Sequence, residues 1–332
     1  MKDDVYNYIF DGPFQAYCKK FIDYKRSLGF KVCEPYCHRL KDMDNLFARF
    51  LIDQVELTIN KEMAEAYVAL RKNESVKTQL LRMSTIRQFA LFMNRIGFNF
   101  YVYPETAFPK ANDDFVPYIF THEEITRLAS ALDKIPFLSG NPKQHLVYPM
   151  LFRILYGCGL RLNEALNLRF SDLDMVHGLI FLSKTKNNSQ RMLPMSSSLL
   201  DYCRRYVERM GFDPQYCGYY FPSCRGQNLH TGSVYFRLRD FMRKANISKE
   251  NGKPPRIHDL RHTFAVHSLE KMVAEGRDIY CSLPILSTYL GHQGIESTEK
   301  YLRLTKESFS TLIERMENYY TDVFPEVNHG QA

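Results

Sequence analysis

No apolar run in this 332-residue sequence reaches the ~18 residues of a membrane-spanning helix, so no transmembrane segment is expected. The opening, MKDDVYNYIFDGPF, carries acids and lacks an apolar signal core, which points to a cytoplasmic protein. Glycine numbers only 16 and no heptad pattern runs long, which excludes collagen-like and coiled-coil architectures. The eight cysteines include no paired CxxC and read as reduced thiols. One cluster, Cys33, Cys37 and His38, hints at zinc, but it lacks a fourth ligand at zinc-finger spacing, so no metal is assigned. A glycine-rich phosphate loop of the GxxxxGK type is also missing, which argues against bound ATP.

What is present is ordinary for a globular chain: 45% hydrophobic and 24% charged residues, enough to exclude disorder for most of it. At ~100–200 residues per domain, the length suggests two domains. The net charge of +7 is compatible with a nucleic-acid partner, and neither half is a basic tail. More telling is the run from Ser75 to Pro104, which contains Lys77, Arg82, Arg87 and Arg95 and no acid.

The periodicity predicts helices over residues 14–29, 38–52 and 60–72, and one long helix or a close pair over 75–96. Residues 1–102 thus read as a small helical domain. Three prolines and weak periodicity mark 103–117 as a linker. A second domain, 118–332, opens on a capping box, with Thr121 followed three residues later by Glu124. It is helix-rich with one β signal: GLIFLS at 178–183, a turn-like TKNNSQ, then RMLPM. The expected class is therefore mainly α with a small sheet or hairpin in the second domain.

Four separated pieces of that domain carry chemistry. They are GCGLRLNEAL (157–166) with Arg161, the hairpin with Lys184 and Lys186, RIHDLRHTFAVHSL (256–269) with His258 and Arg261, and YLGHQGIESTEKYLRL (289–304) with His292 and Tyr301. Two arginines can hold a phosphate by charge-assisted bonds. His258 and Arg261, three apart, share a helix face. A tyrosine, whose phenol titrates near ~10, becomes a credible nucleophile beside arginines and an imidazole that takes its proton. Glu164, one turn beyond Arg161, reads as a buttress for that arginine. His262 points away from Arg261 on a helix and reads as packing or support.

In order and spacing these pieces resemble the tyrosine recombinase (phage integrase) family: Arg161, Lys186, His258, Arg261, His292 and Tyr301, across most of 118–310. Counting back from Pro194 favours Lys186 as the lysine, with Lys184 two residues away on the same face of an extended strand. The resemblance implies a two-domain, C-shaped clamp on double-stranded DNA, with a helical core-binding domain and a catalytic domain. It implies cleavage and rejoining through a 3′-phosphotyrosyl link to Tyr301, with neither metal, ATP nor another cofactor. Arg39, Lys41, Lys77, Arg82, Arg87, Arg95 and Lys184 are the candidate DNA contacts. The partners implied are DNA with two inverted half-sites and further copies of the chain, or a related recombinase: a dimer on one site, a tetramer in the synapse. The chain opens directly on the helices, which leaves no room for an arm-binding domain. The residues after Tyr301 are expected to form a helix that packs into a neighbouring subunit. Integration or excision of a mobile element is the expected role, in the nucleoid of a bacterial-type cell. The alternatives are a Xer-type dimer resolvase, a type IB topoisomerase, which usually has lysine where His258 stands, and an inactive DNA-binding regulator.

Overall fold

In the computed structural model, the described residues are 9–52, 56–110, 116–183, 190–213, 215–249, 251–292, 298 and 301. The chain divides into two compact units, Met1–Phe115 and Val116–Ala332.

Among the described residues of the first unit there are four α-helices, α1 (Gln15–Ser27), α2 (Glu34–Ala48), α3 (Lys61–Val68) and α4 (Val76–Arg95). Asn60 and Ser75 cap α3 and α4, each side chain accepting the amide of the third residue on. The α2 helix begins earlier than its periodicity suggests, because Pro35 in its first turn fits a helix start. Residues 75–96 form one helix rather than a pair. Phe14 stands at the centre of the core, edge-on to Phe47, Phe89 and Phe100. Asp44 ties down the chain before α1 by accepting the amides of Gly12 and Phe14. Tyr103 and Phe108, within the stretch read as linker, pack on this core, and Glu105 pairs with Arg87 of α4.

The second unit opens on α5 (His122–Asp133), whose Thr121–Glu124 capping box forms as the sequence indicates. The apolar α6 (Gln144–Gly157) follows, then the short α7 (Leu162–Leu166). A three-stranded antiparallel sheet comes next: β1 (Leu173–Asp174), β2 (Leu179–Leu182) and β3 (Arg191–Pro194). In its register Ile180 opposes Leu193 and Leu182 opposes Arg191. Ile180 and Leu193 face the core, so alternation puts Arg191 on the inward face as well. Beyond the sheet come α8 (Ser197–Met210), α9 (Thr231–Lys244), α10 (Asp259–Ala274) and α11 (Ile279–Leu290). α6 is the hub, packed against α5, α8 and α10, while α11 packs on α10 and β3. The class is mainly α with a small sheet, as expected. No helix among the described residues is long and apolar enough to cross a membrane.

Candidate active site

Two glycines shape the frame of the site. Gly159 (φ +58) turns the chain between α6 and Arg161, and a Cβ there would lie 2.3 Å from the Phe264 ring. Gly291 (φ +68) ends α11 in the left-handed conformation. The two turns aim backbone carbonyls inward. Arg261 is 2% exposed and donates from Nη1 to Gly159 O (2.8 Å) and from Nη2 to Leu290 O (2.6 Å). Arg161, 25% exposed at its side chain, donates to Gly291 O (3.4 Å) and to Glu164 Oε1 (2.9 Å).

Glu164 is the hub beneath the arginines. Its carboxylate accepts the Arg161 amide (2.9 Å) and both Nη atoms of Arg191 (3.2 and 2.9 Å), and lies 4.0 Å from Arg261. Desolvation works against its charge, but the hydrogen bonds from Arg191 and Arg161 outweigh it and hold its pKa below the ordinary value. One buried carboxylate thus faces three guanidiniums, and the surplus is positive. Arg191, inward-facing on β3, also donates to Tyr289 O (3.1 Å) and so links hairpin, α7 and the end of α11. Burial lowers the Arg261 pKa to about 10, with Arg161 adding to the effect, so it remains charged at neutral pH.

Tyr301 is 3% exposed against Ala265, Val266, Leu269, Leu283, Leu286 and Leu290. Its hydroxyl lies 3.1 Å from His262 Nδ1. Burial raises the phenol pKa, while Arg261 and Arg161 oppose that rise, so the resting phenol keeps its proton. Burial, then neighbouring positive groups, lowers both His262 and His292 to about 4. Both are neutral at pH 7, and His262 can accept the Tyr301 hydroxyl proton. His258, at the mouth of α10, is held below the usual imidazole value by desolvation and by Arg261, Arg256 and Arg161. Its ring lies 4.8 Å from that of His262, edge-on. His292 stacks near Tyr301 with centroids 6.2 Å apart, and its Nδ1 is 2.8 Å from Thr298 Oγ1.

Arg161, His258, Arg261, His292 and Tyr301 therefore meet at one place, although they come from three separated segments. Lys184 and Lys186 lie outside the described residues. Helical position alone suggests a packing role for His262, whereas the structure sets it on the Tyr301 hydroxyl. The available signal was its i, i+4 spacing from His258, which puts both imidazoles on one face of α10. For Arg191 the signal was weaker: two residues before Leu193, it shares a strand face with a core residue.

In the first unit the candidate cations differ among themselves. Arg82 is corrected: at 2% exposure it donates to Tyr67 O and Ala69 O and pairs with Glu74, so it braces α3 against α4 instead of meeting a phosphate. Arg39 bonds Thr85, Lys41 pairs with Asp11, Arg87 with Glu105, and Arg95 donates to the Tyr24 hydroxyl. Lys77 is exposed near the start of α4. Cys33, Cys37 and His38 do not gather as a metal-ligand group among the described residues.

The phage integrase family profile matches residues 119–308, more than half of the chain. The chain belongs to this family. It is a tyrosine-type enzyme of site-specific DNA recombination. A Sinorhizobium fredii protein named as an integrase/recombinase, y4rB, is 29% identical over 317 residues, covering 93% of this chain and 98% of that one. The tyrosine recombinase XerC of Oceanobacillus iheyensis is 28% identical, covering 88% and 93%. The fold is similar to that of the XerH site-specific recombinase bound to a palindromic difH substrate, with a TM-score of 0.63 and 18% identity over 86% of this chain and 78% of that one.

Proposed function

We propose that this recombinase cuts and rejoins double-stranded DNA through a covalent link to Tyr301. The observation that carries this is the Tyr301 hydroxyl hydrogen-bonded to a neutral imidazole beside two arginines fixed by the backbone. Arg161 and Arg261 hold the non-bridging oxygens of the scissile phosphate and stabilise the charge that builds on them. The Tyr301 oxygen forms a bond to phosphorus as the bond to the 5′-oxygen breaks. The phenol proton passes to His262, with His258 beside it, and the arriving phosphate raises the basicity of both rings. Lys186 gives the proton to the departing 5′-oxygen. His292, held at Nδ1 by Thr298, turns its other nitrogen to the phosphate. The 3′-phosphotyrosyl link conserves the ester bond, so the reaction needs neither ATP nor metal.

The helical first unit acts as a core-binding domain, with Lys77 at the centre of its phosphate contacts and Arg39, Lys41, Arg87 and Arg95 around it. The two units clamp inverted half-sites, with dimers on one site and tetramers in the synapse. Integration or excision of a mobile element is the role we favour, and the end-to-end similarity to y4rB supports it. The test is covalent trapping on nicked duplexes drawn from DNA flanking the gene, in chelator, with wild type and Tyr301→Phe. An adduct in wild type alone supports the reading. Tight binding without an adduct overturns it in favour of a DNA-binding regulator, and site-independent relaxation of supercoils favours a topoisomerase.

A further inference from the structure

Outside the catalytic cluster, His122, His267 and Glu270 place one ligand atom each within 4.8 Å of one another. We propose that these three residues form a binding site for a divalent transition-metal cation, zinc above all, which pins the start of α5 to α10.

The donor types suit the ion. Two imidazoles and a carboxylate are zinc ligands, and three protein donors leave a coordination position for water. The placement suits it too. His267 and Glu270 are three apart on α10 and share a face, while His122 is the first residue of α5 and reaches that face from across the fold. His122 Nε2 is 3.8 Å from Glu270 Oε2, beyond hydrogen-bond range. The two imidazole rings stack with centroids 4.0 Å apart, so the His122 ring must leave the stack to bring its in-plane lone pair onto a shared ion. Among the described residues no hydrogen bond joins the three side chains to one another. Zinc bond lengths of ~2.0–2.2 Å put tetrahedral ligands roughly 3.3 Å apart, so the donors need to close by about 0.5–1.5 Å. His122 is exposed and can turn to do so, whereas His267 and Glu270 are half-buried.

The surroundings favour a ligand role for His267. The Tyr156 hydroxyl on α6 lies 2.9 Å from its Nδ1, an outer contact that orients the ring. The Phe120 carbonyl accepts a hydrogen bond from the same imidazole, a bond that an ion bound at that nitrogen would replace. The site is structural. His267 lies six residues beyond Arg261, about 9 Å along α10, and a bound ion would steady the helix that carries His258, Arg261 and His262.

The test uses the full-length, chelator-stripped protein. Zn²⁺ is followed by calorimetry and Co²⁺ by absorption, because exposed Cys33, Cys217, Cys224 and Cys281 offer competing thiolates. One equivalent of Zn²⁺ is expected to bind, with a rise in melting temperature of about 5–10 °C at a hundred times Kd. The Co²⁺ spectrum should lack thiolate charge-transfer absorption. His122→Ala should fold as the wild type does in chelator and lose at least about tenfold in affinity, and Glu270→Gln should weaken binding in the same way. Zinc binding that survives both substitutions, a cobalt spectrum dominated by thiolate, or no binding at all would overturn the proposal.

Discussion

The guanidiniums of the site, and Nδ1 of His262 and of His292, are set by what they touch, and the consequences are measurable residue by residue. His262, His267 and His292 titrate near 4 in the fold, while an unfolded imidazole titrates near ~6.5. As pH falls through that interval the unfolded chain takes up protons first. Their contribution to stability is therefore complete above ~6.5 and is lost as pH falls toward 4. Thermal melts should be level above about pH 7 and fall steadily below it, and a melting temperature that climbs into acid would contradict the burial of these rings. Arg82 makes a separate prediction. Removing one partner of a buried pair costs about 3–5 kcal/mol, so Arg82→Ala should lower first-unit stability by that order in denaturant titrations. The DNA affinity of the molecules that remain folded should be unchanged. Lys77→Ala should do the reverse. The run from Ser75 to Pro104 showed the charges but not their depth: Arg82 looks like its neighbours in sequence, and only the Glu74 carboxylate and the α3 carbonyls that surround it reveal a core role.

Among elements, the turn at Gly159 and the end of α11 at Gly291 do the most positioning, because their carbonyls fix the arginine pair. In Gly159→Ala, a side chain would meet Phe264 in a left-handed backbone, which strains the turn whatever the local space. Adduct formation should fall by at least about 100-fold, with a smaller loss of stability, as expected for catalytic groups displaced by about 1 Å. An unaffected cleavage rate would show that the Gly159 carbonyl is not what sets Arg261. Much of the element pattern was legible because it is local. Asn60, Ser75 and the Thr121–Glu124 box announce helix starts, and GLIFLS and RMLP mark β2 and β3. The two-residue β1 carries no such signal, since it exists only by pairing with Ile180 and Leu179. In the site, the recurring residue types exposed Arg161, His258, Arg261, His292 and Tyr301. Glu164 beneath Arg161 was legible from its place one turn on, but Arg191 and His262 were hidden as partners, because Arg191–Glu164 and His262–Tyr301 are contacts between distant segments.

At the scale of the whole molecule, the labour divides between the units. All the described groups of the catalytic cluster belong to Val116–Ala332, which has its own hydrophobic core. In the proposed reading, the candidate phosphate-binding cations of Met1–Phe115 add affinity. Residues 116–332 alone should therefore still trap a nicked site, but with weaker binding. The dependence of log affinity on log salt should flatten by about 0.9 for each phosphate that the isolated unit no longer neutralises. Equal affinity and salt slope for the whole chain and the isolated unit would remove the first unit from DNA recognition.

The nucleophile is the point on which all of this turns, and the direct measurement is mass mapping of the trapped adduct after proteolysis and nuclease digestion. The expected product is one nucleotide-modified peptide carrying the label on Tyr301, with a free 5′-hydroxyl on the released strand and no adduct from Tyr301→Phe. A label on another residue, or an adduct that persists in Tyr301→Phe, would contradict the assignment of the site.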